Sequence, residues 1–175
     1  MRAPALDSVM IGCRNLSKTF RRVRVLDGVD LHLARGERVA LIGSNGAGKT
    51  TLFRCLLGEY GHDGEVSIAG RDPRRDRTAV LRQVGFVPQL PPPLKMPVGQ
   101  LIGFAAAVCN TDPRHIVDLA GRLGLDTAPI MDRQFVRLSG GMKQKLLIAM
   151  ALGRSARVLV MDEPAANLDP EARKM

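Results

Sequence analysis

Gly43-Ser44-Asn45-Gly46-Ala47-Gly48-Lys49-Thr50 is the stretch whose reading decides the fold. It fits G-x-x-x-x-G-K-[ST], a loop that cradles phosphate. At this chain's own residue frequencies about 0.004 such matches are expected by chance. Its flanks agree. Val39, Ala40, Leu41 and Ile42 precede it as an apolar run that reads as a buried strand. Thr51, Leu52, Phe53, Arg54, Cys55, Leu56 and Leu57 follow as a helix, with Gly58 at its C-terminal cap. Glycines let backbone N–H groups converge on an anion, and a helix N-terminus adds partial positive charge. The residue types place Lys49 on the β- and γ-phosphates and the Thr50 hydroxyl on Mg²⁺.

Composition bounds the rest. The 175 residues are 45% hydrophobic and 25% charged, which suits one globular domain with a real core. Net charge is +9, compatible with nucleotides, nucleic acid or an anionic membrane surface, and equally with a basic solvated surface. The three cysteines, Cys13, Cys55 and Cys109, are scattered, which argues against a zinc site or a disulfide framework and for small core residues in a reducing cytosol. No apolar run is long enough to span a bilayer, and the N-terminus lacks the apolar segment of a signal peptide. The expected chain is soluble, reaching a membrane only through a partner.

Outside the loop, residues 9–13 and the alternating 25–33 read as strands, the latter half-exposed with His32 on its solvated face. Residues 65–70 form another short strand. The basic run 71–77 leads into a helix and reads as a solvated face rather than a nucleic-acid site. Residues 84–88 form a strand ending at Gln89, and Pro91-Pro92-Pro93 marks a stiff connection to a helical lobe. In that lobe Val98, Leu101, Ile102, Ala105 and Cys109 recur at helical spacing, and Asp112-Pro113 starts a second helix with His115 exposed. Phe104 and Phe135 are expected in the lobe core. Ser139 is the N-cap of a third helix over residues 142–152, whose Gly140 and Gly141 expose N-terminal amides. An ordinary capped helix and a second anion-binding terminus both fit that segment.

Val158-Leu159-Val160-Met161-Asp162-Glu163 is an apolar strand ending in two carboxylates. A continuous apolar run suits a buried parallel strand, and ligands collect at the carboxyl ends of such strands. Asp162 can hold Mg²⁺ and Glu163 can accept a proton from an attacking water.

With these residues assembled, the chain resembles the nucleotide-binding domain of ATP-binding cassette (ABC) proteins over essentially its whole length. The loop at Gly43 looks like Walker A, and Gln89 like the Q-loop. Leu138-Ser139-Gly140-Gly141-Met142 is similar to the LSGGQ signature, residues 158–163 to Walker B with its glutamate, and Asn167-Leu168-Asp169-Pro170 to the D-loop. The resemblance implies an α/β P-loop core with a mainly parallel sheet, an antiparallel β-subdomain and an inserted helical subdomain. The core with its β-subdomain falls on 1–90 and 139–175, and the helical subdomain on 91–138. It implies ATP and Mg²⁺ as cofactors. Gly43, Ser44, Asn45, Gly46, Ala47, Gly48, Lys49, Thr50 and Thr51 would hold the phosphates. Phe20 would stack on adenine, a place more often taken by tyrosine. Thr50, Gln89 and Asp162 would serve the metal, with Glu163, Lys49 and Gln89 as the catalytic set. Ser139, Gly140 and Gly141 would contact ATP on a second nucleotide-binding domain, identical or not, and Asp169 would couple the two sites.

Two departures stand out. Met142 replaces the usual glutamine, as in exporter-type members. The family's switch histidine follows Walker B, whereas His32, His62 and His115 all precede it, so the domain reads as lacking its C-terminal part. The function expected is the ATPase subunit of an exporter-type ABC transporter, peripheral at the cytoplasmic face of the membrane through transmembrane permease subunits. The alternatives are a soluble ABC ATPase on nucleic acid or ribosomes, disfavoured by the short interval from Gln89 to Leu138, and a nucleotide-binding remnant without turnover.

Overall fold

A computed structural model describes residues 10–164. The chain divides into two compact units between Gln83 and Val84, each taken here by itself.

The first unit is built on an antiparallel sheet. β1 (Ile11–Phe20) and β2 (Val23–Leu33) form a hairpin, and β3 (Asp63–Ile68) pairs with the other edge of β1, giving the order β2-β1-β3. Ile11 lies opposite both Leu33 and Ile68. β1 is longer than residues 9–13 because it does not end at Asn15. Asn15 takes a left-handed φ of 49°, which asparagine tolerates, and the chain bulges there and resumes pairing. The amide of Asn15 donates to Asp30 Oδ1 at 2.7 Å, and that of Gly28 to Ser17 Oγ at 2.9 Å, so polar side chains hold the irregular part of the hairpin. Helix α1 (Lys49–Leu56) lays Leu52, Cys55 and Leu56 against Cys13, Leu16, Leu26 and Val66 to make the unit's core. The short helix α2 (Arg77–Leu81) closes the unit.

One expectation is overturned here. Residues 39–42 form no strand: Val39 is 53% exposed and Ile42 96% exposed. An apolar run becomes a buried strand only where neighbours supply partners for its amides and carbonyls, and no described strand pairs with this one. His32 also departs from the solvated reading. It is half-buried, and its Nε2 is out of water without a hydrogen-bond partner.

In the second unit β4 (Val84–Val87) and β5 (Val158–Met161) run parallel, in register from Val84 opposite Val158 to Val87 opposite Met161. Around α3 (Val98–Cys109), α4 (Pro113–Arg122) and α5 (Gly140–Gly153) lies one apolar core containing Val98, Leu101, Ile102, Ile116, Phe135 and Leu146. The caps match the sequence. Asp112 accepts from the Arg114 amide with Pro113 in the first turn, and Gly124 follows the end of α4 with φ 70°. Phe104 is corrected: it is 60% exposed. The buried stripe of α3 runs through Val98, Leu101, Ile102, Ala105 and Ala106, and Phe104 falls off it. Close packing sets α5 on β4, since a Cβ at Gly85 would lie 2.8 Å from the Ala151 carbonyl oxygen.

Candidate functional site

The phosphate-loop octet sits between an exposed segment and α1. Gly46 and Gly48 take φ of 84° and 91°, conformations in the left-handed region that glycine adopts at little cost. Gly48 is the N-cap of α1, and no side chain caps the helix there. The hairpin closes on this point from behind. A Cβ at Gly48 would lie 3.1 Å from the Val25 carbonyl oxygen and 3.1 Å from Leu26 Cδ2. Lys49 reaches back over the loop, its Nζ donating to the carbonyls of Gly43 at 2.7 Å and Ser44 at 3.1 Å. The loop is pinned further by the Ala47 amide donating to the Ser44 carbonyl at 3.2 Å. Thr50 is exposed and Thr51 half-buried. The arrangement is a curved backbone with a cation folded over it at a helix start, which is what an anion of several oxygens requires.

Phe20 ends β1 and is 38% exposed. It does not stand alone, because the ring of Tyr60 meets it edge to face with centroids 5.3 Å apart. Tyr60, the chain's one tyrosine, was not marked by the sequence, since nothing in the turn after Gly58 distinguishes it.

Behind the loop, burial pushes the Cys13 thiol up to about 11 against a hydrogen bond from the backbone at Leu31 that lowers it, and it pushes Cys55 up as well. Both are therefore protonated core residues, inert as nucleophiles.

In the second unit the sequence-expected groups meet at the carboxyl end of β5. The amide of Asp162 extends the ladder by donating to the Val87 carbonyl at 2.9 Å, and Asp162 is 4% exposed. Glu163 then turns with a φ of 47°, a strained value for a residue with a side chain, of the kind that clusters at functional sites. That turn delivers its carboxylate to Gln89, whose Nε2 donates to Glu163 Oε2 at 2.7 Å. These two residues are 74 positions apart in sequence. Ser139 caps α5 as expected, its Oγ accepting from the Met142 amide at 3.2 Å. Asp169 and the D-loop stretch lie outside the described residues.

Within the second unit the side chains of Gln89 and Asp162 offer oxygen donors of the kind Mg²⁺ takes. Hydroxyl, carboxamide and carboxylate oxygens are the ligands a hard cation takes. Among the described residues no group of three His, Cys, Asp or Glu is placed to hold a metal ion. The basic run of the first unit is largely committed internally. Arg71 pairs with Asp76 at 3.8 Å, Arg75 with Asp72 at 3.6 Å, and Arg77 donates to the Gly58 carbonyl at 2.8 Å. Among the described residues no helix is long and apolar enough to cross a membrane.

Comparison with known proteins supplies the family. A family model described as ABC transporter matches residues 26–166. The sulfate/thiosulfate import ATP-binding protein CysA of Bordetella bronchiseptica is 41% identical over 174 residues, covering 94% of this chain and 48% of that protein. The Nod factor export ATP-binding protein I of Paraburkholderia xenovorans is 39% identical over 170 residues, covering 91% and 54%. Among solved structures, cbiO1 from Clostridium perfringens, described as part of the ABC transporter complex cbiONQ, superposes with a TM-score of 0.76 at 28% identity, covering 95% of this chain and 70% of that one. The chain thus spans about half the length of the curated relatives it matches.

Proposed function

The chain belongs to the ABC transporter family, and from that premise we propose that it is an ATP-binding and ATP-hydrolysing subunit energising transport through separate membrane subunits. The observation that carries the hydrolytic half is the Gln89–Glu163 hydrogen bond of 2.7 Å at the end of the parallel strand β5, whose Val158 and Val160 are buried while Leu159 is exposed. Lys49 and the loop amides bind the β- and γ-phosphates. Thr50, Gln89 and Asp162 would hold Mg²⁺, which when bound draws charge from the phosphate oxygens. Glu163 accepts the proton of the attacking water, and Gln89 fixes the orientation of that carboxylate by donating to its Oε2. Ser139, Gly140 and Gly141 serve the nucleotide of a second nucleotide-binding domain.

The core is proposed as 1–90 with 139–175, and the helical subdomain as 91–138. Permease subunits place the chain at the cytoplasmic face of a membrane. Support for such partners is that the cbiO1 structure is described as part of a transporter complex. The finer reading, an exporter, rests on Met142 in the signature, while the names of relatives divide between import and export. Inverted vesicles carrying the complex separate the two, since an exporter accumulates its substrate inside them.

The test of the chemistry is Glu163→Gln in the assembled transporter. ATP binding should stay within about twofold while hydrolysis falls about 100-fold or more. An unchanged rate would remove Glu163 as the base.

A further inference from the structure

Phe20 is the last residue of β1, separated from Val23 by the two-residue turn of Arg21 and Arg22. Its ring is contacted by two side chains, Tyr60 and Lys18. Tyr60 meets it at 81° between ring planes. The Lys18 ammonium sits 4.9 Å from the Phe20 ring centre and 5.7 Å from that of Tyr60. Tyr60 is held in turn. Arg54 lies 5.4 Å from its ring centre and donates to its hydroxyl, and the Tyr60 amide donates to the Arg54 carbonyl at 3.2 Å. Arg54 projects from the last turn of α1, the helix whose first turn is the phosphate loop. The ring of Phe20 is therefore tied to the same helix that carries Lys49.

We propose that Tyr60 and Lys18 are positioning residues for the nucleobase: they fix the plane of the Phe20 ring so that a purine stacks on the face opposite the ammonium. The inference rests on the reading of Phe20 as the adenine-stacking residue. An exposed phenylalanine at a strand end loses rotamer freedom when a base stacks on it. An edge-to-face partner and a cation over one face remove that freedom beforehand. The cation also draws π-density toward itself, which makes the opposite face a better partner for an electron-rich purine. Phosphate binding lies at the other end of the helix, so the effect should be confined to the base.

The experiment is calorimetric titration of the full chain with ATP and, separately, with inorganic tripolyphosphate, which has no base. Tyr60→Leu and Lys18→Met should each weaken ATP about 3- to 10-fold and leave tripolyphosphate unchanged. Tyr60→Phe keeps the ring and should restore affinity to within about twofold. In a Phe20→Leu background neither Tyr60→Leu nor Lys18→Met should weaken ATP further. If Phe20→Leu itself leaves ATP affinity unchanged, the base reading fails and the inference with it. If Phe20→Leu weakens ATP but Tyr60→Leu does not, or weakens it equally without Phe20, the base reading stands and the positioning role is overturned. A parallel loss of tripolyphosphate binding, or a Tyr60→Phe variant as weak as Tyr60→Leu, overturns it too.

Discussion

Two helices in this molecule begin at sites proposed to face a phosphate, and they begin differently. α1 starts after Gly48, in a left-handed conformation, with no side chain capping it. α5 starts after Ser139, in an extended conformation, with its own hydroxyl 3.2 Å from the Met142 amide. Every helix start leaves backbone amides without intrahelical partners. At α5 the chain supplies one of those partners itself, so the helix end is stable whatever else is present. At α1 the cap residue has no side chain, and the loop before it curls so that Lys49 lies over the carbonyls of Gly43 and Ser44. The contrast is between a helix start at α1 formed by a glycine and a curled loop, and one at α5 capped by its own side chain.

The sharpest way to break this contrast is to remove the cation. Lys49→Ala should weaken ATP binding about 100-fold or more, read by titration with a fluorescent nucleotide. A loss below fivefold would mean that the curled loop does not depend on the ammonium. Next in size is Gly48→Ala. It forces a side chain to φ 91° and sets a Cβ 3.1 Å from the Val25 carbonyl oxygen. About 1–3 kcal/mol of stability should be lost in urea unfolding. Ser139→Ala should cost about 1 kcal/mol, and Ser139→Gly only a few tenths, because a glycine N-cap is nearly as good. If Ser139→Ala costs no stability yet abolishes ATP-dependent pairing of two chains, capping is not what the hydroxyl is for. A further effect concerns the buried back of α1. The Cys13 pKa is raised from 9.0 to about 11, so the unfolded chain releases that proton first as pH climbs. The stability that burial of the neutral thiol confers is complete below pH 9 and is lost progressively between 9 and about 11. The loss should be on the order of 1 kcal/mol by about pH 9.5, and Cys13→Ala should flatten that slope.

Much of the site was legible because its parts are local. The octet, the Ser139 cap and the Asp112-Pro113 start each depend on residues at most a few positions apart, whose hydrogen bonds follow from backbone geometry. The strand expected over residues 39–42 failed for the opposite reason. Its apolar run was real, but a strand exists only through its neighbours, and sequence does not show whether they are there. Phe104 failed on a smaller scale: hydrophobicity placed it in the core, and the helical phase of α3 turned it outward. Tyr60 carried no sequence signal at all.

The sequence by itself determined the Gly43–Thr50 octet, the helix caps and the family, because these are written in short-range pattern. Only the tertiary structure decided that Gln89 touches Glu163, which follows from β4 and β5 running parallel in register. It alone brought Tyr60 and Lys18 onto Phe20. Contacts between residues far apart in the chain depend on sheet pairing and on how a helix lies against it, and no local rule of backbone geometry contains that information.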